Sequence, residues 1–305
     1  SKQKTAYETM PRLVGSEMCI RDRDKTKAKV EELKSQGRLP KIAMFGGSVF
    51  LFPHPVKELA DFLKSHDMHI NYAAAHVAGL IAGGKFQDPL REGTDTMTMS
   101  THKTLFGPQG GLVLGFEKHA EPIKKAMFPG LTSSHHIHHM AAKAVAFAEA
   151  LEFGKDYAEQ TINNAKTLAA ELNSAGFKVL GEKNGYTESH QAVVNVLDYG
   201  DGGKIEADLE KANIIVNRQL IPGDLKAKRH YMHPGGIRLG TSEITRLGMK
   251  ESEMKEIATM IKNVVIDKKD PSEITAKVAE FRKEFQKTQY CFDNNLGAYE
   301  YVKLR

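Results

Sequence analysis

The chain has 305 residues, enough for one large domain plus a smaller one. Hydrophobic residues make up 41% and charged residues 27%, the balance of a soluble globular protein, and no apolar run is long enough to cross a bilayer. The net charge is only +5, with lysines and carboxylates interspersed, which argues against a nucleic-acid surface; Cys19 and Cys291, near opposite ends, make no disulfide framework and fit a reducing cytoplasm.

No secretory signal pattern opens the chain. Residues 1–23 stand apart. The stretch Pro11–Arg23, PRLVGSEMCIRDR, lacks helical or strand periodicity and resembles translated sequencing-adapter text. It is read as an artefact or a disordered leader and set aside. From Lys25 helices and strands alternate. Lys27–Gln36 reads as a charged helix, and Ile42–Phe45 as a short strand running into Gly46-Gly47-Ser48. Val56–His66 is an amphipathic helix and Met68–Tyr72 the next strand, followed by AAAHVAGLIAGG. Thr94–Met99 is a strand ending at Ser100-Thr101-His102-Lys103, and Gly111–Phe116 another. This order predicts parallel pairing with right-handed crossovers.

Beyond Phe128-Pro129-Gly130 the periodicity predicts two helices, Ile137–Phe153 and Asp156–Ser174, with a domain change near Gly154. Residues 24–154 then form a first domain, 155–292 a second and 293–305 a tail. The second domain reads as α+β. Its strands are Phe177–Leu180, Ala192–Leu197, Asn213–Val216 and Gly236–Leu239, and its helices Lys204–Ala212, Glu251–Val265 and Pro271–Lys287. The tail reads as frayed from Asn294.

Lys103 follows a strand, in a loop with Thr104 and a Gly107-Pro108 turn. That is a poor place for core packing and a good one for projecting into a site at the carboxyl edge of a parallel sheet. A lysine amine can capture an aldehyde. Taken alone, a loop lysine is ordinarily solvated. Arg238, between Ile237 and Leu239, is an inward polar residue on a strand, and a buried arginine needs an anion. His76 alone reads as a hydrogen-bonded core histidine, and Ser48 as a turn cap. His135, His136, His138 and His139 open a helix with no acidic or cysteine partner near in sequence, so no metal is assigned.

Four ordered segments change the weight of these residues. DTMTMSTHKTLFGPQGGLVL (Asp95–Leu114) resembles the cofactor-lysine segment of serine hydroxymethyltransferases, and AAHVAGLIAGG upstream resembles their pyridine-ring segment. PGGIRLGTSEITRLG (Pro234–Gly248) resembles their substrate-carboxylate segment, and ANIIVNRQLIPGD (Ala212–Asp224) a stretch of the folate pocket. The resemblance runs from about Leu39 to Val265, and Gln109 in THKT-x-x-GPQGG is similar to the archaeal branch.

The resemblance implies an α/β fold of pyridoxal-phosphate type I, aspartate-aminotransferase-like. A partial large domain with a mostly parallel sheet would be followed by an α+β C-terminal domain. It implies pyridoxal 5'-phosphate as cofactor and a tetrahydrofolate-type pterin as co-substrate. Lys103 would hold the cofactor. His102 would lie near its phosphate, His76 and Ser48 near its ring, and Arg238 would clamp the amino-acid carboxylate. Ser133 and Ser134 occupy the place of a glycine pair that reaches the phosphate in the neighbouring subunit. A cytoplasmic homodimer or larger assembly is implied, acting on a small-molecule amino acid, with no nucleic acid and no membrane.

Two departures matter. Where the family has the aspartate that keeps the pyridine nitrogen protonated, this chain has Ala73, so impaired turnover is expected. The family's N-terminal portion is also absent. It supplies the ring-stacking aromatic, part of the phosphate cup and the glutamate of the folate step. An exposed sheet edge and poor solubility are therefore expected. Two rivals remain: a threonine-aldolase-like enzyme cleaving β-hydroxy amino acids, and a non-catalytic homologue acting as a binding or structural subunit.

Overall fold

The computed structural model describes residues 23–298. The proposed leader up to residue 22, with Cys19, and the last residues of the tail lie outside them, while Arg23, assigned to the leader, opens the first helix. Helix α1 (Arg23–Ser35) buries only Val30. Strand β1 (Ile42–Gly46) leads to helix α2 (Val56–Ser65), whose Val56, Leu59, Ala60 and Leu63 recur at helical spacing and are buried. Strand β2 (His69–Ala73) alternates, with Ile70 and Tyr72 inward. A short helix α3 (Ala78–Ala82) precedes strand β3 (Thr96–Ser100), and strand β4 (Gly111–Gly115) follows. A 3₁₀ turn, Glu117–His119, and helix α4 (Ala120–Lys125) close this half.

The first sheet has the order β1-β2-β3-β4. β1, β2 and β3 are parallel, as expected. β4 departs: it pairs antiparallel with β3. No helix separates β3 from β4, and the loop at 101–110 turns the chain straight back. Parallel pairing needs a crossover of a dozen residues or more. β1 is an edge strand, with Ile42 and Met44 exposed. A groove of about 320 Å³ lies over β3 and β4, lined by Met97, Leu112, Leu114 and Leu151 among others.

Helix α5 (Ile137–Ser174) runs unbroken for 38 residues. The two-helix expectation with a break near Gly154 is therefore corrected. The packing glycine here is Gly83, at the end of α3: a Cβ on it would lie 2.4 Å from Gly154 O. The close approach requires glycine at 83, whereas a Cβ at 154 would meet only ordinary contacts at 3.8–4.0 Å; continuous helical hydrogen bonding outweighs the propensity cost of Gly154. α5 serves both cores. Ala158 and Ile162 pack into the first, and Leu168, Ala169 and Leu172 into the second.

The second sheet is antiparallel, in the order β5 (Lys178–Val179), β6 (Gln191–Asn195), β8 (Gly236–Gly240), β7 (Asn217–Gln219). Helices α6 (Gly202–Glu210), α7 (Ser242–Arg246), α8 (Glu251–Val265) and α9 (Pro271–Arg282) complete this half. Asp201 caps α6 by accepting from Gly203 N–H and Lys204 N–H, and Asp270 caps α9 ahead of Pro271. The strand expected at Asn213–Val216 lies instead at β7. Asn213 has left-handed φ (59°) at the helix end, and Val216 packs into the core before pairing with β8 begins at Asn217. α9 stops at Arg282, short of the expected Lys287.

Candidate active site

The parallel strands end on one rim. Gly46 of β1 pairs with Ala73 of β2, and Ala73 with Thr98 of β3. Lys103 leaves this rim on the loop after β3, which several contacts brace. Thr104 Oγ1 donates to His76 O at 2.9 Å and accepts from Gly79 N–H at 3.0 Å. Gly79 admits no side chain, since a Cβ there would lie 1.9 Å from Thr104 O. Thr101 Oγ1 donates to Pro108 O at 2.7 Å, and Gly110 N–H donates to His102 Nδ1 at 3.4 Å. Farther along, Phe106 packs edge-on to Tyr157 and carries the Arg246 guanidinium 4.1 Å above its ring.

The opposing wall comes from the second sheet. Arg238 on β8 donates to Ser48 O at 2.6 Å and to Asn217 Oδ1 at 3.1 Å. Gln191 opens β6. Its Oε1 accepts from Phe50 N–H at 2.8 Å, and its Nε2 donates to Ser48 O at 3.0 Å and faces His76 Nδ1 at 3.3 Å. Ser189 Oγ donates to Phe50 O, and Glu188 N–H to Leu51 O. The segment 48–51 is thereby pinned to the second sheet, which sets the spacing of the two walls.

Electrostatics place the predicted residues together. His76 is pushed down to about 4, first by burial and then by the charges of Lys103 and Arg238. His190, fully enclosed, is pushed down to about 3 by burial, with His76, Arg238 and Lys103 adding to it. The His76 and His190 rings stack with centroids 6.0 Å apart. Burial also lowers Arg238. Among the described residues the Lys103 amine makes no hydrogen bond or ion pair, Arg238 has no carboxylate partner, and His190 Nδ1 is buried without a hydrogen-bond partner. Two cations and two neutral imidazoles thus converge with no anion to balance them.

Ser48 joins the cluster through its carbonyl, while His102 is exposed beside Lys103. Ser134 does not join it: Ser133 and Ser134 lie exposed ahead of α5, and neither bonds a described residue. Gln191, His190 and Asn217 escaped the sequence reading, and Thr104 was named there only as a neighbour of Lys103. A Gln or His before an apolar strand is ordinary, and only the fold sets them against the loop at 48 and His76. For His190 and Gln191 the sole signal was their place at the start of a buried strand.

The donor set fits an anionic, aldehyde-bearing ring. An amine without a partner, an arginine without a counter-ion and a buried imidazole edge are present. Ala73, which ends β2 at this rim, offers no carboxylate.

An α/β sheet with an unpaired lysine at its carboxyl rim and an arginine facing it defines a type I pyridoxal-phosphate fold. A family model described as "Serine hydroxymethyltransferase" matches residues 1–261, a span that includes the leader set aside above. The serine hydroxymethyltransferase of Nitrosopumilus maritimus is 78% identical over 289 residues, covering 95% of this chain and 66% of the relative. That of Cenarchaeum symbiosum is 73% identical over 284 residues, covering 93% and 64%. A crystal structure of the L-threonine transaldolase of Pseudomonas fluorescens superposes with TM-score 0.78 at 31% identity, covering 92% of this chain and 62% of that one. The chain belongs to the serine hydroxymethyltransferase family and spans just under two thirds of the length of these relatives.

Proposed function

We propose that this chain carries the lysine and the carboxylate clamp of a pyridoxal 5'-phosphate enzyme that interconverts serine and glycine. The one-carbon unit would pass to or from a tetrahydrofolate-type pterin. The observation that carries this reading is the convergence of Lys103 and Arg238 on two neutral histidines with no carboxylate between them. Family membership supplies the reaction class. When bound, the cofactor supplies the electron sink for a carbanion at the amino-acid α-carbon, which no side chain supplies alone.

The residues take the following parts. Lys103 anchors the aldehyde through its amine. Arg238 exchanges a neutral partner, Ser48 O or Asn217 Oδ1, for the substrate carboxylate, which its planar fork grips bidentately. His76, held neutral, faces the ring as a hydrogen-bonding partner rather than as a competing cation. Ser48 and His102 lie toward ring and phosphate, and Ser134 serves a neighbouring copy in a homodimer or larger assembly. The setting is cytoplasmic, and no helix among the described residues is long and apolar enough to cross a membrane. With Ala73 at the ring-nitrogen position, turnover is impaired.

The test is titration of pyridoxal 5'-phosphate into the purified chain, followed by visible absorbance. A saturable band is expected, absent in Lys103→Ala and present in Arg238→Ala but there indifferent to serine. Equal uptake by Lys103→Ala would overturn the assignment. The name of the solved relative favours a second reading, cleavage of L-threonine without a pterin. Carrier-independent release of glycine from threonine, with no serine turnover, would support it.

A further inference from the structure

At the opposite rim of the first sheet, far from the lysine loop, three residues that the proposed reaction does not use come together. His69 opens β2, Asp95 immediately precedes β3, and His119 ends the turn after β4. Their ligating atoms all lie within 4.8 Å of one another. Asp95 Oδ1 is 3.6 Å from His119 Nε2, and its Oδ2 is 4.0 Å from His69 Nδ1.

Hydrogen bonding fixes what these atoms can do. Asn71 Nδ2 points at Thr98 Oγ1, 3.5 Å away, which leaves its Oδ1 as acceptor. The Thr96 hydroxyl spends its hydrogen on that Oδ1 at 3.0 Å. It must therefore accept from His69 Nε2–H, 2.9 Å away. With Nε2 held by Thr96, Nδ1 is the ring nitrogen turned toward the carboxylate, 4.0 Å from Asp95 Oδ2, and its lone pair is the one available to a metal. The Asp95 carboxylate is itself oriented by Ile70 N–H at 2.9 Å and is almost fully enclosed. His119 Nε2 is buried without a hydrogen-bond partner and points at the same carboxylate. A cation between the three resolves all of these contacts. An outer N–H of a ligating histidine held by a polar partner, as Thr96 holds His69, is the usual arrangement around a bound metal.

We propose that His69, Asp95 and His119 form a binding site for a zinc-class divalent transition metal at the amino-terminal rim of the parallel sheet. Two imidazoles and one carboxylate suit zinc or cobalt and leave a fourth position for water. Bonds of about 2.0–2.2 Å in a tetrahedron set ligand atoms about 3.3–3.6 Å apart, so small side-chain shifts complete the geometry. Lys118 Nζ, 3.6 Å from Asp95 Oδ1 on a side chain 67% exposed, is the competing cation, and the metal displaces it toward solvent. In the other histidine group His136 and His138 are exposed and His139 half-buried, and the three rings contact one another.

The experiment uses the 305-residue chain with His135, His136, His138 and His139 changed to glutamine, so that the run at the start of α5 cannot bind. Zn²⁺ is titrated against a chromophoric chelator, and Co²⁺ is added separately for its visible spectrum. One equivalent of Zn²⁺ and a tetrahedral Co²⁺ spectrum are expected. His119→Ala and His69→Gln should each weaken binding at least tenfold with circular dichroism unchanged, and Lys118→Ala should tighten it. Uptake that is absent, or that neither histidine variant alters, overturns the site.

Discussion

Gln191 Nε2 stands 3.3 Å from His76 Nδ1, and the amide can present only a donor there because its Oε1 is already taken by Phe50 N–H. His76 Nδ1 must therefore accept, which holds the ring neutral with its proton on Nε2. Gln191→Glu replaces the donor with an anion. The expected result is a rise of about 1–3 units in the His76 pKa, since an opposite charge within a few ångströms favours the protonated ring. NMR titration of the ring reads this directly. An unchanged His76 would mean that burial alone, not the amide, sets its state.

The same enclosure predicts acid lability. In the unfolded chain a histidine titrates near 6.5. Folded His76 lies at about 4 and His190 at about 3. Both are depressed, so above pH 6.5 each is neutral in both states and costs nothing. As pH falls below 6.5 the unfolded chain takes up protons that the folded chain refuses. Stability is then lost progressively until the folded values are reached. The combined loss is on the order of a few kcal/mol. Urea midpoints at pH 7 and pH 5 measure it, and His190→Gln should shrink the difference between them. Parallel pH profiles for the two proteins would contradict the argument.

Thr104 is the brace of the lysine loop. Thr104→Val keeps the shape but leaves His76 O and Gly79 N–H unpaired in a buried place. A loss of about 1–3 kcal/mol in denaturant unfolding is expected. Lys103 should also lose its defined position, seen as weaker uptake of pyridoxal 5'-phosphate. Gly79→Ala is harsher. Its Cβ would overlap a carbonyl, and a flexible side chain cannot move aside because the obstacle is backbone. That variant should fail to accumulate as folded protein.

The lysine, the arginine and the strand rim were legible because local text carries them: a strand, then a loop lysine; an arginine alternating with apolar neighbours. The residues that hold them in register were not. Gln191 lies 141 positions from Phe50 and 115 from His76, and nothing in its flanks distinguishes it from any glutamine at a strand start. Gly154 shows the opposite failure. It reads as a helix break, yet α5 runs through it, because one glycine's propensity cost is small against the continuous hydrogen bonding of a 38-residue helix. The turn of β4 back along β3 was legible in principle, because the ten-residue loop with Gly107-Pro108 is too short for a parallel crossover; the strand-helix alternation before it carried the parallel expectation too far. The histidine run at 135–139 drew the metal question to the wrong place. His69, Asp95 and His119 meet only once the sheet is assembled.

Ala73 gives the sharpest test of the proposed chemistry. It ends β2 on the same face as His69 and Asn71, opposite the buried Tyr72, and pairs with Gly46 and Thr98 at the rim from which Lys103 projects. The face is only half-buried, so a slightly longer side chain can be accommodated. Ala73→Asp would place a carboxylate at that rim, where family resemblance puts the partner of the ring nitrogen. An adjacent carboxylate favours the charged form of such a nitrogen. Two outcomes are expected. Affinity for pyridoxal 5'-phosphate should tighten by about tenfold or more, the equivalent of about 1.4 kcal/mol from one charge-assisted contact. Serine-to-glycine turnover should rise with it. The affinity is read by absorbance in chain that also carries Arg238→Ala, so that substrate binding cannot contribute. If the aspartate variant binds the cofactor no better than the alanine chain, position 73 does not face the ring, and the placement of the cofactor over β2 is wrong even if Lys103 still captures it.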